Sequence, residues 1–444
     1  MKIQLSDHFT YGKLFRFTLP SVAMMVFTSI YGVVDGFFVS NFVGETPFAA
    51  VNFIMPFLMI LSSFGFMFGA GGSALISVTM GMGEHRRANR LFSMITLVSL
   101  GVGVLISVLG IAFIRPLASV LGAEGAMLEY CVLYGRIILA AMPAFMLQQQ
   151  FQSFFVTAEK PQMGLITTLA AGFTNMILDG LFIAVFNWGV IGAALATALS
   201  QTVGGVIPII YFLRPNSGRL RLTAPLFDCR ALLRACTNGS SELLGNAAMS
   251  LVGMLYNVQL MKYAGESGVA AYGVMMYVGF IFISIFIGYS IGTAPLVGFN
   301  YGSANHKELS GLFRKSLVIM CVTSALMLTL GVALARPLGL LFMSNSPTTL
   351  ELTVRGFRIF SLQFLFCGIS IFGSAFFTAL NNGLISALIS FIRTLVLQTA
   401  AILLLPLIWN PPTDGIWFSI VVAEVSSAII TVAFLAANKR KYKY

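Results

Sequence analysis

Apolar runs of about twenty residues or more, each long enough to cross a hydrocarbon core of roughly 30 Å as a helix, recur along the chain. Nothing constrains its folding more, because in lipid every backbone N–H and C=O must find a partner inside the protein, which leaves only helices and closed barrels. The runs are continuous rather than alternating, and that excludes a barrel. Breaks at Gly, Pro and charge clusters predict twelve spans: 17–40, 47–80, 91–114, 128–156, 164–186, 189–213, 240–262, 269–299, 312–335, 355–379, 384–408 and 415–437. Of the 444 residues, 58% are hydrophobic and 9% charged, against roughly 25% charged in a soluble domain. The chain therefore reads as an all-α membrane protein.

The net charge of +11 is a topology signal. With the amino terminus inside, 19 of the 26 basic residues fall on cytoplasmic segments: Lys2, Lys13, Arg16, Arg86, Arg87, Arg90, Lys160, five arginines from Arg214 to Arg234, Lys307, Arg314, Lys315 and the tail NKRKYKY. The outer loops hold few, such as Arg115, Lys262 and Arg336, so both termini are expected in the cytoplasm. Nucleic acid is not an expected partner. The five cysteines show no metal-ligand spacing and receive no role. No cleavable leader is expected, since the start MKIQLSDHFTYGKLFRF is polar for too long. The chain has no HExxH, GxSxG or P-loop and is read as a non-enzyme without a cofactor. His85 and His306 fall at matching positions in polar turns, and His8 in the amino-terminal tail carries no reading.

Shifted by 221 residues, the chain aligns with itself. GETPFAAVNF at Gly44 meets GESGVAAYGV at Gly265, and GMGEHRRANRLF at Gly81 meets GSANHKELSGLF at Gly302, with 13 identities in the 49 positions 44–92. Two copies of a six-span unit follow: a tail 1–16, a first lobe 17–213, a linker 214–239, a second lobe 240–437 and a basic tail 438–444. An even span number makes the lobes parallel, an arrangement typical of transporters that bind between lobes and rock around that site. Without an ATP-hydrolysing motif, uphill transport must draw on an ion gradient.

Ionisable residues inside the spans are few and costly, roughly 2.5 to 3.5 kcal/mol each on insertion scales. Asp35 in VVDGFFVS and Asp179 in NMILDG both lie roughly 8 to 10 Å below the outer end of their spans at 1.5 Å per residue. Asn175 precedes Asp179 by one helical turn, and Thr197 in the sixth span falls at a similar depth. Two carboxylates, an amide and a hydroxyl suit either oxygen ligation of a hard cation or a carboxylate pair that carries a proton. The second half does not copy the set: Tyr256 stands opposite Asp35. Glu242 sits near the inner end of its helix, where snorkelling or capping is expected; Arg393 and Glu424 are read as neutralising each other, and Arg136 as facing the interface. Gln148 and Gln152 share one face of the fourth helix, turned to a polar cavity or to neighbouring helices. With Met249 and Tyr256 they are the candidates for a substrate cavity, in a chain whose 22 Met and 40 Phe suit promiscuous apolar ligands.

The duplicated plan, LPSVAMMVFTSIYGVVDGFFVSNFVG, GMGEHRRANRLF, NMILDGLFI and WGVIGAALAT together resemble the multidrug and toxic compound extrusion (MATE) family, over residues 17–437. The resemblance implies a V-shaped twelve-helix secondary antiporter of a bacterial inner membrane, monomeric, exporting drug-like organic cations in exchange for sodium or protons. It also implies a cation site at Asp35, Asn175, Asp179 and Thr197. Some members use a seventh-span glutamate and a tenth-span aspartate; here the seventh span reads NAAMSLVGML and the tenth has no acid. A lipid-precursor flippase of the same superfold is the alternative, and a channel the rival of another class.

Overall fold

The computed structural model describes residues 3–216, 218–343 and 347–444. Lys2 of the amino-terminal tail and Ser217 of the linker lie outside them. The chain is helical from α1 (Tyr11–Phe42) through α2 (Glu45–Gly81) and α3 (His85–Val120). The span α4 is bent by 56° between Gly125–Ala140 and Met142–Thr157. Helix α5 (Pro161–Asp179) widens into a π-helical stretch, Gly180–Val185, and α6 runs Gly189–Leu213. In the second half, α9 (His306–Met343) follows the long run Cys229–Gly302. The span α10 joins Pro347–Ser361 to Phe364–Ala379, α11 runs Gly383–Ile408 with its own π-helical stretch, Ile392–Leu397, and α12 is Pro412–Tyr442.

Among the described residues, nine helices are long and apolar enough to cross a membrane, or eleven if each bent pair counts as one span. The run Cys229–Gly302 enters that tally once, although Gly265 inside it has φ 62°. Sixteen residues of unbroken helix would set Tyr256 and Tyr272 about 24 Å apart. Their rings instead stack with centroids 5.0 Å apart, so the chain doubles back at Gly265. Its two arms are α7 and α8, which brings the spans to the twelve expected. The helices overrun the apolar runs because their polar ends continue past the hydrocarbon; α3, for example, begins at His85. Gly44, 221 positions before Gly265, has φ 101°, a backbone region open to glycine but strained for other residues.

In lipid, apolar burial gives helices little reason to associate; close backbone packing supplies it, and small residues permit it. The halves meet on such a seam, at the end of the molecule that carries both termini. Gly71 and Gly239 set α2 against α7 so closely that a Cβ on Gly71 would lie 1.9 Å from the Ala235 carbonyl oxygen, and one on Gly239 1.9 Å from that of Met67. Gly81 and Gly302 set α2 against α8, with Cβ positions 2.1 Å from the Phe299 and 2.2 Å from the Val78 carbonyl oxygens. Backbone cannot yield as a side-chain tip can. Gly239→Ala is therefore expected to part the seam and raise the alkylation rate of the half-buried Cys236, one turn away, by a polar maleimide; an unchanged rate would show that the seam tolerates a methyl group.

Candidate functional site

The expected polar cluster forms in the first half. Asp35 on α1 is half-buried, whereas Asp179 is 0% and Asn175 2% exposed. The groups bearing on the Asp35 carboxyl are Asp179, Asn175 and Thr197, and the Thr197 hydroxyl donates to Asp35 Oδ1 at 3.5 Å. Local sequence explains the convergence. Asn175 and Asp179 lie one turn apart on α5, and Gly172, a turn earlier, lets the Phe27 and Tyr31 rings of α1 close on that helix: a Cβ there would sit 2.4 Å from Phe27 Cε1. The π-helical widening begins at the residue after Asp179, a device frequent at functional sites.

Two further side chains close the cluster. The Tyr31 hydroxyl reaches Gln148 and lies in the field of the Asp35 carboxyl. Tyr134 on α4, 1% exposed, donates to Met55 Sδ at 3.8 Å and lies in the field of both carboxyls. Sequence reading missed both; Tyr31 precedes Asp35 by one turn, the same spacing that had tied Asn175 to Asp179, while Tyr134 carried no comparable signal.

Hydrogen-bond accounting shows what the cluster can do. No N–H or hydroxyl of the described residues donates to either oxygen of Asp179, which meets the Asp35 carboxyl instead, or to the side-chain oxygen of Asn175, although buried polar atoms are otherwise satisfied in the great majority. Such a set lacks a positive charge. No group of three or more His, Cys, Asp and Glu that could hold a metal gathers among the described residues, so the acids of the cluster are the two carboxyls alone. Its oxygens suit a hard monovalent cation or a proton, with Asp35 half-buried and Asp179 fully buried.

A second polar group occupies the second half. A cavity of about 270 Å³ is lined there by Glu242, Met249, Tyr256, Arg393 and Glu424, with Met25 and Phe66 of the first half closing one side. Arg393 Nε donates to both oxygens of Glu424, at 2.9 and 3.0 Å, which is the pairing expected. Glu242 does not snorkel: it lines the cavity in the field of Arg393. Arg393 lies in the π-helical stretch of α11, so each half places a π-helical stretch beside a buried ionisable residue. Tyr256 bonds Ser419 Oγ at 2.7 Å. Gln148 and Gln152 are placed differently from Met249 and Tyr256. They border a separate small void in the first half, because Gly204 brings α6 onto α4, with its Cβ position 2.6 Å from Gln148 Cδ. Arg136 is exposed on the outer part of α4.

Comparison with known proteins places these features in a family. The MatE family model matches twice, over residues 20–181 and 243–403. Multidrug export protein MepA of Staphylococcus haemolyticus (strain JCSC1435) is 26% identical over 379 residues, covering 83% of each chain. The fold matches a MATE transporter crystallised in complex with MaL6, with a TM-score of 0.93 at 21% identity over 98% of each chain. It matches equally a multidrug resistance MATE transporter in its outward-facing conformation, with a TM-score of 0.92 at 22% identity over 98% of this chain and 97% of that one.

Proposed function

This chain belongs to the MatE family of multidrug transporters, and from that premise we propose that it exports amphipathic organic cations in exchange for sodium or protons, using the Asp35, Asn175, Asp179 and Thr197 cluster to couple the ion. The observation that carries the reading is the convergence of a half-buried Asp35 with the buried Asp179, Asn175 and Thr197 from neighbouring helices, with no cationic side chain among them. An ion arriving at Asp35 would neutralise the pair and let α1 repack. The cavity of the second half, with its methionine and tyrosine walls, would hold the drug.

Ion and drug occupy different halves, so in this reading they act on one conformational equilibrium and need not touch. The two lobes, 17–213 and 240–437, would rock about the seam, with both termini in the cytoplasm and the chain working as a monomer in the inner membrane. Arg393 reduces the second cavity's charge from that of two acids to one, which suits a monovalent cationic drug better than an anionic lipid precursor.

The test is ethidium efflux from proteoliposomes under an imposed sodium gradient, an imposed proton gradient, or neither. Efflux is expected to follow one gradient and to stop when an ionophore collapses it. Efflux that proceeds equally with both gradients collapsed would identify a passive pathway and end the antiport reading.

A further inference from the structure

Two short segments at the end carrying the termini take no part in the cluster or the cavity. Residues 3–10 lead into α1, and residues 221–228 lead into α7; in the 221-residue register Asp7 stands where Asp228 stands. Each segment docks on the half to which its helix does not belong.

The first lead-in lies on α9. The Glu308 carboxylate accepts from the Phe9 N–H at 2.8 Å and meets His8 Nδ1 at 2.6 Å, while the Lys315 ammonium donates to the Phe9 carbonyl. Glu308 and Lys315 are two turns apart on one face of α9, so they take both polar groups of a single residue's backbone. Leu5 and Phe9 are each 0% exposed.

The second lead-in lies on α3 in the same manner. Arg221 N–H donates to Asn89 Oδ1 at 2.9 Å and Thr223 N–H to Ser93 Oγ at 2.8 Å. Asp228 N–H meets Met94 Sδ at 3.3 Å, and the Asp228 carboxylate meets Arg87 at 3.6 Å. Arg87 and Met94 are the register equivalents of Glu308 and Lys315, so equivalent faces of equivalent helices each hold a lead-in segment, through different chemistry. The first segment is also tied to the turn between α4 and α5 and to the linker ahead of the second segment. Glu159 accepts from the Leu5 N–H at 2.7 Å and pairs with Arg219 Nε at 3.0 Å, and Arg219 donates to Gln4 Oε1 at 3.2 Å.

We propose that the crossed lead-ins are a paired latch: each half surrenders its entering segment to the other, and the terminal end of the molecule opens only when Phe9 peels from α9 and residues 221–228 peel from α3. Closely packed helices alone would not need this exchange. The proposal stands apart from the coupling ion and the drug, since it concerns only whether that end is open or shut.

Spin labels at Leu213→Cys and Ala437→Cys, on the exposed ends of α6 and α12, report the separation of the halves, with Cys229, Cys236 and Cys321 replaced by serine. Pulsed electron paramagnetic resonance is recorded on monodisperse protein. Glu308→Ala with Lys315→Ala releases one lead-in; Asn89→Ala with Ser93→Ala, a milder change should the first variant fail to fold, releases the other. Each is expected to raise the population of a longer distance at least several-fold. In the Asn89→Ala/Ser93→Ala background, cross-linking His8→Cys to Glu308→Cys is expected to erase that component and reduction to restore it. Wild-type distance distributions in both released variants, or a longer component that survives the cross-link, would overturn the latch.

Discussion

Asp179→Asn is expected to abolish ion-driven efflux without unfolding the protein. The substitution removes an acid whose two oxygens receive no donor among the described residues and preserves the side chain's shape within the π-helical bend. A buried group left unsatisfied costs about 1–3 kcal/mol, more if charged, so the variant in ion-free buffer should melt no lower than wild type. Function should suffer in full. Coupling free energies of about 1–3 kcal/mol correspond to 5–150-fold effects, and a cluster reduced to one carboxylate loses that coupling. The measurement that separates binding from fold is thermal unfolding against ion concentration. An ion at 100 times its Kd stabilises the wild type by about 2.7 kcal/mol, whereas Asp179→Asn should show a flat response. If sodium is the ion, the wild-type rise follows sodium; if the proton is, the rise follows acidification without sodium. Asp35→Asn should lose the same rise, although Asp35 is the more exposed of the two. A variant with normal efflux and a normal ion response would remove Asp179 from the site.

Depth along helices was readable before the fold, and that is why the grouping of Asp35, Asn175, Asp179 and Thr197 emerged from counting residues. Rise per residue is fixed, so two acids equally far from the outer ends of neighbouring spans lie at one level whatever the packing. Rotation about each helix axis is not fixed in this way. Tyr31 could have been found from its one-turn spacing to Asp35, but Tyr134 required knowing how α4 bends at Ala141. The same bend and the Gly204 contact turned Gln148 and Gln152 away from the large cavity, a placement that one helix face could not decide. Glu242 was misjudged for another reason. Its nearness to a helix end argues for snorkelling, yet the side chain turns to the cavity, where the Arg393 charge acts on it from a distance. The lead-in segments were invisible because polar tails carry no periodicity, and His8 acquired meaning only beside Glu308.

The ion pair in the second half should respond asymmetrically to removal of its members. Glu424 is 1% exposed and takes both of its bonds from Arg393 Nε. Breaking a buried pair by deleting one partner costs about 3–5 kcal/mol, because the survivor remains charged in a low-dielectric site, whereas replacing both partners with neutral groups is often close to neutral. Glu242 tilts that expectation. After Glu424→Gln, Arg393 still has an acid across the cavity; after Arg393→Gln, Glu242 and Glu424 face one cavity with no counter-charge. Arg393→Gln is therefore expected to be the more destabilising single change, at the upper end of that range, and Glu424→Gln to fall below it. The double variant Arg393→Gln/Glu424→Gln should recover most of the loss and leave Glu242 as the cavity's acid. Thermal unfolding of the four proteins, read as a double-mutant cycle, gives the interaction directly. Equal costs for the two single changes would mean that Glu242 does not compensate, and the cavity would then hold one isolated pair rather than three interacting charges.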